Sequence, residues 1–330
     1  MPLHFRSILI KVFFLVCAFL LNKSNSFSGF DGKAATLPST GMNMASTEGS
    51  TFPVNEAENE KIFVVTGSTD GIGRHTSKKL AETGARVIVH GRNTARCEET
   101  VQWIKDITGN EKIDYFVADL SETSNVHTLA DQICEKYSHI DCLINNAGVF
   151  EEQFQTTPDG FEMTFAVNVA APFVLTKRLL PMLQKRPGSR LIIVSSISQG
   201  SRIDFENLQF EKGGYDEHSS YSLSKLCDAM LAFEMAARFG SGAQPTVNTL
   251  DPGTVNTKML LAGWGMCGIP VTRANNEFWL ATSPDVEGVN GKYFTSCRES
   301  RASQVAYDPE ARRRLWEYLE RTTGVTYDDL

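Results

Sequence analysis

A tyrosine and a lysine four residues apart, in the run Tyr221-Ser222-Leu223-Ser224-Lys225, have the spacing of two side chains on one helical face. Free tyrosine has a pKa of about 10, too high for ready proton exchange near neutral pH. An adjacent ammonium lowers that pKa because it stabilises the phenolate. The pair suits proton transfer to or from a substrate oxygen, although a half-buried ring beside a solvated lysine is the commoner explanation of such a pair taken alone.

A glycine-rich turn far upstream makes the catalytic interpretation the stronger one. The β-rich run Lys61-Ile62-Phe63-Val64-Val65 ends in Thr66-Gly67-Ser68-Thr69-Asp70-Gly71-Ile72-Gly73, and a helical pattern follows. Strand, glycine turn and helix are the context of a dinucleotide-binding fingerprint, since the turn needs residues without a Cβ and the helix N-terminus offers N–H groups to a pyrophosphate. Together the two signals indicate a nicotinamide-dependent oxidoreductase; a plain tight turn is the remaining alternative.

Further motifs follow in chain order and carry a family resemblance. They are Asp119-Leu120, Asn145-Asn146-Ala147-Gly148, Phe165-Ala166-Val167-Asn168-Val169, Leu191-Ile192-Ile193-Val194-Ser195-Ser196 and Leu250-Asp251-Pro252-Gly253-Thr254-Val255-Asn256-Thr257. From about residue 60 to 325 the chain resembles the short-chain dehydrogenase/reductase family, whose glycine spacing is TGxxxGxG.

Two features make the chain similar to the branch that contains retinol dehydrogenases and the oxidoreductase domain of the WW-domain oxidoreductase. Ser196 precedes Tyr221 by 25 residues, and the insert Ile203-Asp204-Phe205-Glu206-Asn207-Leu208 fills that long gap. The C-terminal stretch from Ala306 to Gly324 is also similar. One departure is Asp251, where that branch usually carries histidine, and it bears on the pocket near the nicotinamide.

The resemblance implies a catalytic set of Asn168, Ser196, Tyr221 and Lys225. Tyr221 would be the proton donor in reduction and the acceptor in oxidation, and Ser196 would hold the substrate oxygen. Lys225 would also touch the nicotinamide ribose, and Asn168 would position a water beside it. Ser195 is a rival for the serine role, which the family spacing gives to Ser196. The expected cofactor contacts are Gly67, Ser68, Thr69, Asp70, Gly71, Ile72, Gly73, Arg92, Asn93, Asp119, Leu120, Asn146, Ala147, Gly148, Tyr221, Lys225, Pro252, Gly253, Val255 and Thr257.

The residues after the second predicted strand indicate NADP(H) as the cofactor. An acid placed there accepts a hydrogen bond from the ribose 2′-hydroxyl of NAD, whereas a 2′-phosphate needs a cation. The chain reads Arg86-Val87-Ile88-Val89-His90-Gly91-Arg92-Asn93, with no acid in reach. Arg92 is the expected phosphate partner, with a solvated arginine as the alternative. His90 is expected to pack rather than to catalyse.

Alternating strand and helix patterns predict the fold class: α/β, a Rossmann-type doubly wound seven-stranded parallel sheet in a three-layer αβα arrangement. The strands are expected near 61–66, 86–90, 113–118, 140–146, 190–195, 246–250 and 291–295. The longest helices are expected at 218–240 and at 158–186, with Pro181 as an interruption. A single catalytic domain would span 60–325, followed by a tail at 326–330.

Composition argues against nucleic-acid binding and against a metal site. The net charge is −7 over 330 residues, which argues against nucleic acid as a partner because phosphate binding needs a dense basic patch. The six cysteines beyond the leader show no CxxC pair and no histidine at metal-ligand spacing, so no metal is expected.

The first 59 residues are predicted to be a leader. Ten apolar residues from Val12 to Leu21 are half of what a bilayer span needs, and they follow positive charges, so 1–26 is expected to be a signal peptide or signal anchor. Residues 27–59, largely hydroxyl- and glycine-rich, are expected to be disordered. This predicts entry into the secretory pathway, to the ER lumen or membrane; the alternative is a two-part leader for a complex plastid.

The substrate is predicted to be an apolar small molecule with a carbonyl or alcohol group. The segment 258–270 follows the sixth strand, where family members have a substrate lid, and it is apolar with three glycines. The alternative is packing of this segment on its own domain or on the second subunit of a homodimer. A catalytically silent NADP-binding scaffold is the rival from another class, and an epimerase would be expected to carry TGxxGxxG, which this loop lacks.

Overall fold

Seven parallel strands and one antiparallel strand form the central sheet of the computed structural model, which describes residues 60–240, 242 and 244–328. The strand order is β3-β2-β1-β4-β5-β6-β7-β8. The strands are β1 Ile62–Val65, β2 Arg86–Gly91, β3 Ile113–Val117, β4 Cys142–Asn145, β5 Arg190–Val194, β6 Thr246–Asp251, β7 Tyr293–Thr295 and β8 Arg298–Ser300. The chain order reverses between β1 and β4, which is the switch point where doubly wound sheets bind ligands.

The prediction of a seven-stranded parallel sheet is wrong in one respect: β8 adds an antiparallel edge strand. Ser296 and Cys297 form the two-residue turn between β7 and β8, with φ of 50° and 58°. Hairpin turns of this kind usually carry Asn-Gly or Asp-Gly. The sequence lacks that signal, and β8 is only three polar residues long.

Helices cover both faces of the sheet, as the three-layer prediction requires. Their bounds are α1 Gly71–Ala81, α2 Thr94–Thr108, α3 Thr123–Lys136, α4 Met163–Gln184, α5 Glu217–Phe239, α6 Lys258–Trp264, α7 Asn276–Thr282 and α8 Pro309–Thr323. The buried side chains of α3, α4, α5 and α8 form one apolar core, and those of α1, α2 and α7 form the other.

Helix α4 differs from its prediction in two ways. Its residues Ala166–Ala170 form a π-helical turn, and Pro181 does not interrupt it. Pro181 lies in the last turn of the helix, which continues to Gln184, and the neighbouring Met182 and Leu183 remain buried. Among the described helices α4 alone is long and apolar enough to cross a membrane, but 83% of its apolar window is buried inside the protein. That burial is typical of a core helix.

The described part of the chain begins at residue 60 and ends at residue 328. The predicted signal peptide at 1–26 and the linker at 27–59 lie outside the described residues. At the C-terminus Tyr327 packs on Phe173 and Trp316, with ring centroids at 5.0 and 4.7 Å, and its hydroxyl donates to Phe173 O. The packed chain therefore reaches two residues beyond the predicted boundary at 325.

Candidate active site

At two glycines of the turn after β1, neighbouring atoms leave no room for a side chain. A Cβ on Gly73 would lie 2.4 Å from Asn146 Nδ2 and 2.7 Å from Gly67 O. Gly67 has φ of 62°, and a Cβ there would lie 2.7 Å from Ala147 Cα. The turn thus presses the start of α1 against the end of β4. A helix N-terminus behind such a cradle is where a dinucleotide pyrophosphate binds, so these residues fit the cofactor that the sequence predicts.

The side chain of His90 on β2 supports this turn. Its Nδ1 accepts from Gly67 N at 3.1 Å, and its Nε2 lies 3.2 Å from Ala118 O, a geometry that assigns the proton to Nε2. Burial lowers the pKa of His90 to about 4, so the ring is neutral at physiological pH. His90 is part of the loop's support, in line with the expectation that it packs rather than catalyses.

Charged side chains surround the outer edge of the turn. Asp70 caps α1 by accepting from Gly71 N, and it forms ion pairs with Arg96 at 3.0 Å and with Lys258 at 2.6 Å. Burial raises the pKa of Asp70, but the hydrogen bonds from Lys258 and Gly71 outweigh burial and leave it below its usual range. Arg92 is exposed at the end of β2. The edge thus holds three cations and one ionised acid.

The loop after β4 joins the turn to the π-helical part of α4. Asn146 Nδ2 donates to Thr66 O at 2.7 Å. Asn168 lies in the π turn, where its Oδ1 accepts from Val149 N and its Nδ2 donates to Val149 O and to Ser224 Oγ. A π turn inside an α-helix is frequent at functional sites. Here it holds Asn168, fully buried, next to Gly148 and the end of Lys225.

Tyr221 and Lys225 lie on one face of α5, as their spacing predicts. Lys225 Nζ lies 5.8 Å from the centre of the Tyr221 ring. It donates to Val194 O at 2.9 Å and to Asp228 Oδ2 at 2.8 Å. Lys225 and Asp228 are both almost completely buried, and Asp228 Oδ1 has no hydrogen-bond partner among the described residues.

The ionisation of this cluster is governed by burial and by the ion pair. Burial lowers the pKa of Lys225, but the charge of Asp228 outweighs it, so Lys225 stays an ammonium. Burial raises the pKa of Asp228 to about 6 against the opposing effect of Lys225. Burial also raises the pKa of Tyr221; Lys225 and a hydrogen bond with Ser196 oppose this rise without cancelling it. These surroundings therefore hold Tyr221 in its neutral, proton-donating form.

The two serines after β5 have different surroundings. Ser195 is buried and donates to Lys225 O at 2.6 Å, so its hydroxyl anchors α5 to the sheet. Ser196 is partly exposed, accepts from Ser198 N and interacts with Tyr221. Asp251, the departure from the family pattern, accepts from Ile197 N at 3.0 Å and so fixes the serine loop. This geometry favours Ser196 over Ser195 for contact with a substrate.

The segment after β6 lies on top of the site. Thr257 caps α6 by accepting from Leu260 N, and the methyl group of Thr257 lies next to Gly71 of the glycine turn. Trp264, the last residue of α6, packs on the Tyr221 ring with centroids 5.4 Å apart. Phe150 packs on both, at 5.8 Å from Tyr221 and 5.0 Å from Trp264.

The predicted site residues converge on the carboxyl ends of the parallel strands. The turn at 66–73 follows β1, Arg92 and Asn93 follow β2, Asn146–Gly148 follow β4, Ser196 follows β5, and Pro252–Thr257 follow β6. Asp119 and Leu120 follow β3, where Asp119 accepts from the backbone and hydroxyl of Ser121.

Three neighbours of the catalytic set were not predicted, Phe150, His218 and Asp228, and neither was Arg96 beside the glycine turn. Asp228 could have been found, since a residue three positions after Lys225 lies on the same helical face. Phe150 and His218 carry no such signal, because the contact between them depends on how the loop after β4 meets the start of α5.

Comparison with known proteins agrees with this geometry. Residues 61–263 match the model of the short chain dehydrogenase family. The chain is 35% identical to mouse retinol dehydrogenase 14 over 290 residues, which cover 80% of this chain and 86% of that protein. It is 31% identical to human polyprenol dehydrogenase over 291 residues, covering 83% and 88% of the two chains.

Solved structures show the same fold. A protein of Mycobacterium paratuberculosis has a TM-score of 0.67 at 26% identity, covering 81% of this chain and 94% of its own. A Shigella flexneri short chain dehydrogenase, solved in complex with NADP, has a TM-score of 0.59 at 26% identity, covering 71% and 95%. The chain thus belongs to the short chain dehydrogenase family, in its retinol dehydrogenase branch, and is an oxidoreductase that acts on a carbonyl or alcohol with a nicotinamide cofactor.

Proposed function

We propose that this protein uses NADP(H) to interconvert a carbonyl and an alcohol on an apolar small molecule, with Tyr221 as the proton donor and acceptor. The observation that carries the proposal is the Tyr221 phenol, buried and neutral beside the Lys225 ammonium and Ser196. A neutral phenol next to a fixed positive charge can release its proton to a developing alkoxide and is restored by solvent. That arrangement serves reduction directly and oxidation in reverse.

Each member of the catalytic set has a task that its contacts support. The Ser196 hydroxyl holds the substrate oxygen near the phenol. Lys225 stabilises the phenolate that forms, and Asp228 keeps Lys225 protonated inside the protein. Asn168 fixes the loop after β4 against α5 through its hydrogen bonds with Val149 and Ser224.

The cofactor would be held by the glycine turn, the residues after β2, β3, β4 and β6, and the Tyr221–Lys225 pair. When bound, NADP(H) supplies or accepts the hydride at its nicotinamide. The choice of NADP over NAD rests on Arg92 and on the exposed Arg96, since a 2′-phosphate needs cations at this edge. Asp70 opposes that choice because it occupies Arg96 and Lys258 in ion pairs.

An apolar substrate fits the surroundings of the phenol. Ile197 next to Ser196, and Leu261 and Met266 on the segment after β6, are large apolar side chains exposed to solvent. Exposed apolar groups at the mouth of a site favour an apolar ligand. The names of the relatives point the same way, because retinol and polyprenol are apolar alcohols.

A silent NADP-binding scaffold is the competing function. A chain that had lost chemistry but kept the fold would not be expected to retain all four catalytic side chains. The test is direct: purified residues 56–330 are mixed with NADPH or NADH and a panel of aldehydes and ketones, and absorbance at the nicotinamide band is followed. Carbonyl-dependent oxidation that is faster with NADPH supports the proposal. Binding of NADPH with no turnover of any carbonyl would support the scaffold.

The location of the protein is a separate proposal. We infer that the leader directs the chain into the secretory pathway, on the strength of the ten-residue apolar run that ends at Leu21. Fusion of residues 1–26 to a reporter that carries a glycosylation site tests this, because only a translocated reporter is glycosylated. An unglycosylated fusion protein that stays in the cytosol would overturn it.

A further inference from the structure

Ser196 lies just beyond the point where the chain of β5 leaves the sheet. Ser195 N still donates to Leu250 O at 2.8 Å, which extends the pairing of β5 with β6 by one hydrogen bond. After this bond the backbone no longer pairs with a neighbouring strand, so its N–H and C=O groups need other partners. The direction in which Ser196 points therefore depends on those partners.

Two side chains hold the peptide group that joins Ser196 to Ile197. The hydroxyl of Tyr293, the first residue of β7, donates to Ser196 O at 3.1 Å. The carboxylate of Asp251, the last residue of β6, accepts from Ile197 N at 3.0 Å. One peptide group is thus held at its oxygen and at its nitrogen, and it cannot rotate without losing a hydrogen bond. We call Asp251 and Tyr293 the peptide clamp.

The two members of the peptide clamp are themselves fixed. Asp251 is 7% exposed and Tyr293 is 3% exposed, and they lie on the adjacent, hydrogen-bonded strands β6 and β7. Asn276 Nδ2 donates to the backbone oxygen of Asp251 at 2.9 Å. Burial raises the pKa of Asp251, and its hydrogen bonds with the backbone of Ile197 and Gly253 oppose that rise. The carboxylate thereby also ties the Ser196 loop to the turn after β6.

The sequence gives Asp251 no other task. It is the position at which the chain departs from the pattern of its branch, and a carboxylate is costly to bury even when backbone N–H groups surround it. A residue that costs stability in this way is typical of a functional site.

Building on the proposed function, we propose that Asp251 and Tyr293 are positioning residues that orient Ser196 toward the oxygen of the substrate. The Ser196 hydroxyl accepts from Ser198 N at 3.1 Å and interacts with Tyr221, so it already lies on the side of the phenol. A hydrogen-bond donor stabilises a developing alkoxide best when it is held in place before the reaction. The peptide clamp provides that hold from two strands of the sheet.

A double-mutant cycle between Tyr293 and Ser196 tests the proposal. The measured quantity is the single-turnover rate of NADPH oxidation by decanal, followed by stopped flow with protein in excess over NADPH, so that slow product release does not hide the chemical step. We expect the rate to fall about 100-fold in Ser196→Ala and about tenfold in Tyr293→Phe, because the first loses the donor and the second only loosens it. Adding Tyr293→Phe to Ser196→Ala should change the rate by less than about twofold, since no serine hydroxyl is left to position.

Tyr327→Phe is the matched control, because the Tyr327 hydroxyl is also buried and donates to a backbone carbonyl, Phe173 O, at 2.7 Å. Both tyrosine variants should lower the thermal midpoint, since each loses one buried hydrogen bond, but only Tyr293→Phe should slow the reaction. The dissociation constant for NADPH should stay within about twofold in both.

The second member of the peptide clamp has its own test. Asp251→Leu removes the acceptor for Ile197 N, whereas Asp251→Asn keeps one. We expect the rate to fall about tenfold in the leucine variant and to recover at least in part in the asparagine variant. If Asp251→Leu does not fold, the cycle between Tyr293 and Ser196 still decides.

A Tyr293→Phe rate within about twofold of that of the unmodified protein overturns the inference while leaving the oxidoreductase intact. So does a loss that persists in full in the Ser196→Ala background, or an equal loss in Tyr327→Phe. If decanal is not reduced, the carbonyl that the unmodified protein reduces fastest takes its place. If that protein reduces no carbonyl at all, the proposed function itself has failed, and the inference with it.

Discussion

The two ends of the site are built in opposite ways. At the cofactor end, backbone and buried polar groups interlock: His90, Ser68 and Asn146 each bond to the glycine turn or to its flanking strands, and a Cβ on Gly73 would not fit. At the substrate end, α6 has no buried residue and touches the phenol through one ring. The fold thus holds the cofactor end rigidly and leaves the substrate end to side chains that can be replaced without disturbing the core.

Tyr221 lies on the border between the two ends, so removing its hydroxyl should stop chemistry without disturbing either. In Tyr221→Phe we expect kcat to fall about a thousandfold or more, because only the proton donor is lost. The dissociation constant for NADPH, measured by fluorescence titration, should remain within about twofold, since the phenyl ring keeps its contacts with Phe150 and Trp264. Turnover close to that of the unmodified protein would remove Tyr221 from the proposed mechanism.

A glycine-to-alanine substitution at each end should have different effects. In Gly73→Ala the added Cβ meets Asn146 Nδ2 and the Gly67 carbonyl at under 3 Å, so the turn must move. We expect NADPH affinity to drop about 10- to 100-fold. In Gly263→Ala the Cβ meets only the Phe150 ring at 3.2 Å, and that ring can rotate. Its NADPH affinity should be unchanged while the KM for the carbonyl changes.

Equal effects of the two glycine substitutions on NADPH affinity would contradict the division into a rigid cofactor end and an adaptable substrate end. A circular dichroism melt of both variants serves as the check on folding.

The preference for NADPH over NADH tests the role of the exposed arginines at the cofactor end. In Arg92→Asp we expect the ratio of kcat/KM with NADPH to that with NADH to fall about tenfold or more, since the acid repels a 2′-phosphate and accepts from a 2′-hydroxyl. Arg96→Asp is the comparison, because Arg96 already pairs with Asp70. If Arg96→Asp changes the ratio and Arg92→Asp does not, the phosphate partner has been assigned to the wrong arginine.

The cofactor end could be predicted from the sequence more fully than the substrate end. Seven strands lie where the apolar runs place them, because buried parallel strands leave a clear pattern. Arg298–Ser300 left none, being short, polar and reached through a turn without glycine. The contacts of Trp264 with Phe150 and His218 join segments far apart in the chain, and no local periodicity encodes them.

A buried acid in the rigid end gives the smallest predicted effect. Glu277 on α7 is fully buried, accepts from Thr76 Oγ1 at 2.8 Å, and has no hydrogen-bond partner for its Oε1 among the described residues. Burial raises the pKa of Glu277 to about 7, against the weaker opposing effects of Thr76 and Lys225. The folded protein therefore binds a proton here more tightly than the unfolded chain does. Its contribution to stability is fully present below the unfolded pKa of about 4.5 and is lost as the pH rises through about 7.

Glu277→Gln should remove this loss, because the amide stays neutral and keeps an acceptor for Thr76. At pH 8 we expect the free energy of unfolding to rise by about 1–3 kcal/mol and the thermal midpoint by a few degrees, whereas at pH 5 the variant and the unmodified protein should nearly coincide. Glu287→Gln, at an exposed position shortly after α7, is the matched control and should show no difference between the two pH values. An equal gain at both pH values would mean that better packing, rather than a buried charge, explains the result, and no gain at pH 8 would show that Glu277 is already accommodated as a carboxylate.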